Sequence, residues 1–110
     1  MSNIYPCLWF ESEARAAADF YCSIFPNSRV LSAAGISVTW ELDGNKFMAF
    51  NGGPHDTFNE AVSFMVPCKS QDEIDHYWNA LTSGGGKEKT GGWCTDKFGV
   101  SWQIVPTILG

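Results

Sequence analysis

Hydrophobic positions along this chain change period several times, and each change marks an element. Ile4 to Phe10 is an almost unbroken apolar run, the pattern of a short strand covered on both faces. Behind it, Ala14, Ala17, Ala18, Tyr21, Ile24 and Phe25 recur at the spacing of one helical face, with a start offered by Glu11-Ser12 and a stop at Pro26-Asn27. Arg29 to Ala33 reads as a short strand broken by Gly35. Ser37 to Leu42 and Lys46 to Phe50 flank Asp43-Gly44, a strong signal for a tight hairpin. The first half therefore predicts βαβββ.

The second half repeats the plan. Ala61 to Val66 is an apolar run, Ser70 can cap a helix, and Ile74, Tyr77, Trp78 and Leu81 mark its buried stripe before Gly84-Gly85-Gly86 ends it. Short strands follow around Lys87 to Lys89 and Gly92 to Thr95, then a turn at Asp96 to Gly99 and a closing strand from Val100 to Val105. The residues faintly echo this order: Asp19-Phe20-Tyr21 against Asp75-His76-Tyr77-Trp78, and Trp40 to Asp43 against Trp93 to Asp96, at an offset of roughly 55 residues. The expectation is an α+β fold, one domain over residues 1–110 made of two tandem βαβββ modules, about 1–55 and 56–110.

Composition narrows what such a domain can do. With 110 residues, 45% of them hydrophobic and 15% aromatic, the chain can build a core of its own. A formal charge of -5 with only seven Lys plus Arg, none clustered, argues against a nucleic-acid partner. No window approaches the roughly 18 apolar residues of a membrane span, and the N-terminus lacks the basic and apolar regions of a signal peptide, so the expectation is no membrane and a cytoplasmic protein. Cys7, Cys22, Cys68 and Cys94 are widely spaced with no CxxC pair and read as free thiols. Thr82 to Gly86 is a poor phosphate loop, because it follows a helix instead of preceding one.

Several longer motifs carry a family resemblance. Pro6-Cys7-Leu8-Trp9-Phe10, Asp19-Phe20-Tyr21 with Phe25-Pro26-Asn27-Ser28-Arg29, Asn51-Gly52-Gly53-Pro54-His55, Asn59-Glu60-Ala61-Val62-Ser63-Phe64 and Gly99 to Thr107 occur in that order. Together they closely resemble the PhnB-like family of the vicinal-oxygen-chelate superfamily, which holds glyoxalases, bleomycin-resistance proteins and extradiol dioxygenases. The resemblance implies paired βαβββ modules curving round a cleft, usually in a homodimer. The family's longer insert between its second and third strands is missing here, around Ala33 to Ser37. Many members carry the description 3-demethylubiquinone-9 3-methyltransferase. A methyltransferase commonly needs a glycine-rich strand-to-helix turn in a Rossmann-like sheet, and this chain offers neither.

In superfamily members that do chemistry, about four His, Glu or Gln side chains hold a divalent metal. By the resemblance, the matching positions are near Pro6, Ala49, Ser63 and Gln103. Proline and alanine cannot ligate, and a hydroxyl plus an amide falls short of an imidazole and carboxylate set. No metal and no other cofactor is expected.

Alternation gives a cleft face. If Asp43-Gly44 is a two-residue turn, Trp40 lies across from Phe47 and Val38 across from Ala49. By the same parity Pro6, Leu8 and Phe10, Ser63 and Met65, and Ser101 and Gln103 would share a face turned away from the helices. This face is mainly apolar with a few polar points, the make-up of a small-molecule site. The candidate ligand-binding residues are Trp40, Phe47, Ser63 and Gln103. Against that stand core or dimer packing for Trp40 and Phe47, and an internally satisfied amide for Gln103. His76 reads as a helix-surface histidine. His55, in a turn-rich loop, is the candidate general base.

The expectation from sequence is a metal-free homodimer binding a small apolar or aromatic molecule, with catalysis left open. The alternative is a metal-dependent lyase, isomerase or dioxygenase using His55 and Gln103. A third is a structural dimer whose cleft is filled.

Overall fold

The computed structural model describes residues 4–107. It is an α+β fold of two βαβββ modules, and the chain divides between Thr57 and Phe58 into two compact units.

The first unit contains β1 (Cys7–Phe10), α1 (Ala14–Ile24), β2 (Arg29–Ala34), β3 (Ser37–Leu42) and β4 (Asn45–Asn51), in a sheet of order β1-β4-β3-β2. The first expected strand thus starts at Cys7, later than Ile4. β1 runs parallel to β4, as the helical crossover allows, and the other pairs are antiparallel hairpins. Asp43 and Gly44 both take positive φ, 50° and 83°, giving the expected two-residue turn. Gly35 and Ile36 make another short turn, with Ala34 paired to Ser37. A tight hairpin stands where the family's longer insert would be.

Helix α1 begins at Ala14 without a local side-chain cap. Its first N–H donates instead to the Asn51 Oδ1 oxygen at 2.8 Å, so the end of β4 does the capping expected of Glu11-Ser12. Its buried stripe is Ala14, Ala17, Ala18 and Tyr21, packed against a sheet face carrying Leu8, Phe10, Val38, Trp40, Leu42 and Ala49, all buried. The rings of Tyr21 and Trp40 lie 6.2 Å apart. Small residues on the helix leave room for a large one beneath, which is how close packing is reached here.

The second unit contains β5 (Phe64–Cys68), α2 (Gln71–Thr82), β6 (Lys87–Glu88), β7 (Trp93–Thr95) and β8 (Ser101–Pro106), in the equivalent order β5-β8-β7-β6. β5 starts later than the apolar run from Ala61. The Asn59 side chain accepts the Ala61 N–H at 2.8 Å and holds that stretch in a turn, leaving Val62 exposed. Ser70 caps α2 as expected, accepting the Glu73 N–H at 3.2 Å, while Glu73 reaches back to the Lys69 N–H at 2.9 Å. The buried side of this sheet carries Cys68, Cys94, Trp102 and Ile104, with Leu81 of α2 buried as well.

Between β7 and β8, Asp96 is buried and its carboxylate accepts hydrogen bonds from three groups. They come from the N–H of Phe98 at 2.8 Å, the N–H of Val100 at 3.1 Å and the indole of Trp102 at 2.9 Å.

Candidate functional site

The pairing registers divide each sheet into a helix-packed face and a helix-free face. In the second unit the closing strand has Trp102 and Ile104 on one side and Gln103 on the other, where it shares a face with Ser101 and Val105, which are also buried. Gln103 pairs across one strand boundary with Met65 and across the other with Trp93. Its Nε2 donates to Ser63 Oγ at 2.9 Å. The structure therefore brings Ser63 and Gln103 together on the helix-free face.

In the first unit the expected face is reversed. Trp40 pairs with Phe47 and Val38 with Ala49 as alternation required, yet this row faces α1. Trp40 is 0% exposed and stacks on Phe47, with ring centroids 5.7 Å apart and planes 12° from parallel. Leu8 and Phe10 share that face. The physical reason is volume: an alanine-lined helix needs large side chains under it. The helix-free face of this unit carries Trp9, Met48, Phe50 and Thr39 instead.

Trp9 is fixed there by the Asn51-Gly52-Gly53 segment. Its indole N–H donates to the Gly53 carbonyl at 3.0 Å, and a Cβ on Gly52 would fall 2.1 Å from the Trp9 ring. Only glycine allows that approach. His55 is exposed and its imidazole stands edge-on to Trp9 at 6.5 Å, with no hydrogen-bond partner for the ring among the described residues. The general-base candidate has an aromatic neighbour, and among the described residues no acid is hydrogen-bonded to it. His76 is also exposed, against Tyr77 on α2.

The four thiols form no disulfide. Burial raises the pKa of each, and Cys94 is pushed up to about 11 by burial, with Asp96 and Glu88 adding to it. None is poised as a thiolate. A polar groove of about 370 Å³ lies at the β2–β3 end of the first unit, lined by Asn27, Ser28, Arg29 and Glu41, with Arg29 and Glu41 paired at 3.0 Å. Its lining is unlike the apolar faces described above.

A metal centre of the superfamily type does not fit these residues. Of the four matching positions, Pro6 and Ala49 offer no side-chain donor, and Ala49 faces α1. Ser63 and Gln103 are bonded to each other. Among the described residues no three His, Cys, Asp or Glu side chains come together as a ligand set.

The sequence profile of the family described as 3-demethylubiquinone-9 3-methyltransferase matches residues 2–105. The chain belongs to that PhnB-like family, within the vicinal-oxygen-chelate superfamily. A solved PhnB protein from Bacillus cereus, described in the same methyltransferase terms, is 30% identical with a TM-score of 0.87, covering 94% of this chain and 99% of that one. A Pseudomonas aeruginosa protein is 20% identical over 96% of this chain and 98% of its own, with a TM-score of 0.77. A glyoxalase/bleomycin resistance protein from Albidiferax ferrireducens is 14% identical over 94% and 97%, with a TM-score of 0.63. The last two share the fold alone. No curated protein matches the chain.

Trp9, Trp93, Asn51 and Asp96 are the residues that strand alternation did not single out. The helix-free position of Trp9 follows once α1 is matched by size to Trp40. Trp93 follows from Gln103, because cross-strand partners share a face.

Proposed function

We propose that this PhnB-like chain binds a small apolar or aromatic molecule on the helix-free face of its second unit, without a divalent metal. The observation that carries the reading is the row Trp93–Gln103–Met65 with Ser63 bonded to Gln103. An indole and a thioether supply apolar contact, and one amide–hydroxyl pair supplies orientation. Phe47 stacks on Trp40 in the helix-packed layer, so neither is part of the proposed site. Assembly as a homodimer, on the family resemblance, and a cytoplasmic location are part of the proposal.

The methyltransferase description of the family names it without supplying a mechanism here. The strand-to-helix links, Glu11-Ser12-Glu13 and Lys69-Ser70, contain no glycine, and each sheet mixes parallel and antiparallel pairs. Among the described residues no helix is long and apolar enough to cross a membrane.

The test is metal content per subunit by mass spectrometry on untagged protein, before and after incubation with Mn, Fe, Ni and Zn and desalting. It is followed by a thermal-shift screen of aromatic and quinone-like compounds. The expected result is no retained metal and a raised melting temperature with some aromatic compounds. Near-stoichiometric metal lost in His55→Ala would overturn the metal-free reading in favour of the lyase, isomerase or dioxygenase alternative. A screen without any shift would overturn ligand binding.

A further inference from the structure

We infer that the second unit's site recognises an uncharged planar molecule carrying a carbonyl acceptor beside an N–H or O–H donor, as in a carboxamide or lactam, and discriminates against carboxylates. This rests on the small-molecule reading above and adds the polarity of the ligand to it.

The first support is the set of hydrogen-bonding functions left open. Gln103 spends one N–H on Ser63. That leaves the amide oxygen as an acceptor, and the second amide hydrogen and the Ser63 hydroxyl as donors. If the carboxamide is turned over, Ser63 donates to it and the pair still offers one acceptor and two donors. Among the described residues the Trp93 indole beside Gln103 has no aromatic partner, and its N–H no protein acceptor. Donors and an acceptor side by side, next to an unstacked ring, complement a neutral planar amide.

The second support is charge. The chain carries a formal charge of -5. Of its seven cations, Arg15, Arg29 and Lys89 are paired with Asp19, Glu41 and Glu60. Lys46 and Lys97 lie over the rings of Tyr5 and Phe98. Lys69 and Lys87 are left, and neither belongs to the Trp93–Gln103–Met65 row. Lys87, opposite Thr95 on the edge strand, is the nearer along the sheet, and it is exposed. An anion placed against Gln103 would lose water and find only neutral N–H and O–H donors, beside a neutral acceptor and with no cation in the row, in a negative field.

The experiment is isothermal calorimetry with 1-naphthamide and 1-naphthoate, which share a ring system and differ in charge and donor. Wild type is compared with Gln103→Leu, Ser63→Ala and Lys87→Ala, each checked for an unchanged melting profile. The expected result is at least about tenfold tighter binding of the amide, a preference erased in Gln103→Leu, reduced in Ser63→Ala and kept in Lys87→Ala. Equal binding, or tighter binding of the naphthoate that depends on Lys87, overturns the inference and leaves the small-molecule reading intact. An amide preference that survives both Gln103→Leu and Ser63→Ala overturns the assignment to this pair. No binding of either compound at millimolar concentration overturns the proposed site itself.

Discussion

The Asn51 carboxamide oxygen accepts the backbone N–H of Ala14 at 2.8 Å, so the last residue of β4 holds the first turn of α1. This joins the end of a hairpin to a helix 37 residues earlier in the chain. Asn51→Ala leaves that N–H unpaired and is expected to cost about 1 kcal/mol, the usual scale of a lost cap. Asn51→Asp keeps the acceptor, adds charge at the positive end of the helix, and should match or exceed wild type. Urea unfolding of the two variants checks this; equal destabilisation would mean that Asn51 acts through something other than its oxygen.

Gly52 fits against the Trp9 ring with no room for a side chain. Gly52→Ala is therefore expected to destabilise by about 1–3 kcal/mol through overpacking. The same substitution in a Trp9→Val background should cost much less, because the ring that blocks the methyl is gone. Equal costs in both backgrounds would place the constraint in the backbone.

Trp40 is enclosed under α1, and its indole N–H is a buried donor with no hydrogen-bond partner among the described residues. Trp40→Phe removes that unmet donor while losing some volume. These effects oppose each other, so the net change is expected within about 1 kcal/mol, against about 3–5 kcal/mol for Trp40→Ala. Because Trp40 lies on the helix-packed face, Trp40→Phe should leave the affinity of any ligand bound at Gln103 unchanged in calorimetry. A loss of affinity at constant stability would return Trp40 to the site.

The order of elements, the β3–β4 hairpin pairing and the Ser70 cap were legible because each rests on local chemistry: helical period, the Asp43-Gly44 dipeptide, a hydroxyl three residues before Glu73. The face of the first sheet was not. Both of its faces are apolar, with Leu8, Phe10 and Ala49 on one and Trp9, Met48 and Phe50 on the other, so alternation finds the two sets without saying which meets the helix. Size complementarity carries that information. α1 presents Ala14, Ala17 and Ala18 and needs Trp40 beneath it. α2 presents Ile74, Tyr77, Trp78 and Leu81, and the buried face of its sheet includes Cys68 and Cys94. The Asn51 cap and the Asp96 bonds were out of reach for another reason: each depends on backbone groups placed by the finished fold.

Cys94 gives the fold a stability loss on the alkaline side. Burial favours its neutral thiol, so the folded state keeps that proton up to about pH 11, against an ordinary value of 9.0. The favourable contribution is intact below pH 9 and drains away as pH rises toward 11, to a total of the order of 2 kcal/mol. Urea midpoints at pH 8 and pH 10.5 should fall more steeply for wild type than for Cys94→Ala. Parallel declines would show that other groups dominate the alkaline loss.

Asp96 ties the β7–β8 turn to the core through one carboxylate: Oδ1 takes the N–H groups of Phe98 and Val100, and Oδ2 takes the Trp102 indole. Charge-assisted bonds in a buried setting are worth more than exposed ones, and each donor loses its partner if the carboxylate goes. Asp96→Asn keeps the shape but turns one acceptor into a donor. If the amide oxygen stays with the two backbone N–H groups, its NH2 faces the Trp102 indole, donor against donor. The expected cost is about 2–4 kcal/mol. Trp102→Phe removes the opposing indole N–H, so the double variant should be more stable than the sum of the single effects predicts, by about 1–3 kcal/mol. Unfolding free energies of the four proteins in the cycle measure that coupling. Additivity within about 0.5 kcal/mol would mean that the indole bond contributes little and that the backbone N–H groups alone explain why an aspartate stands at the turn.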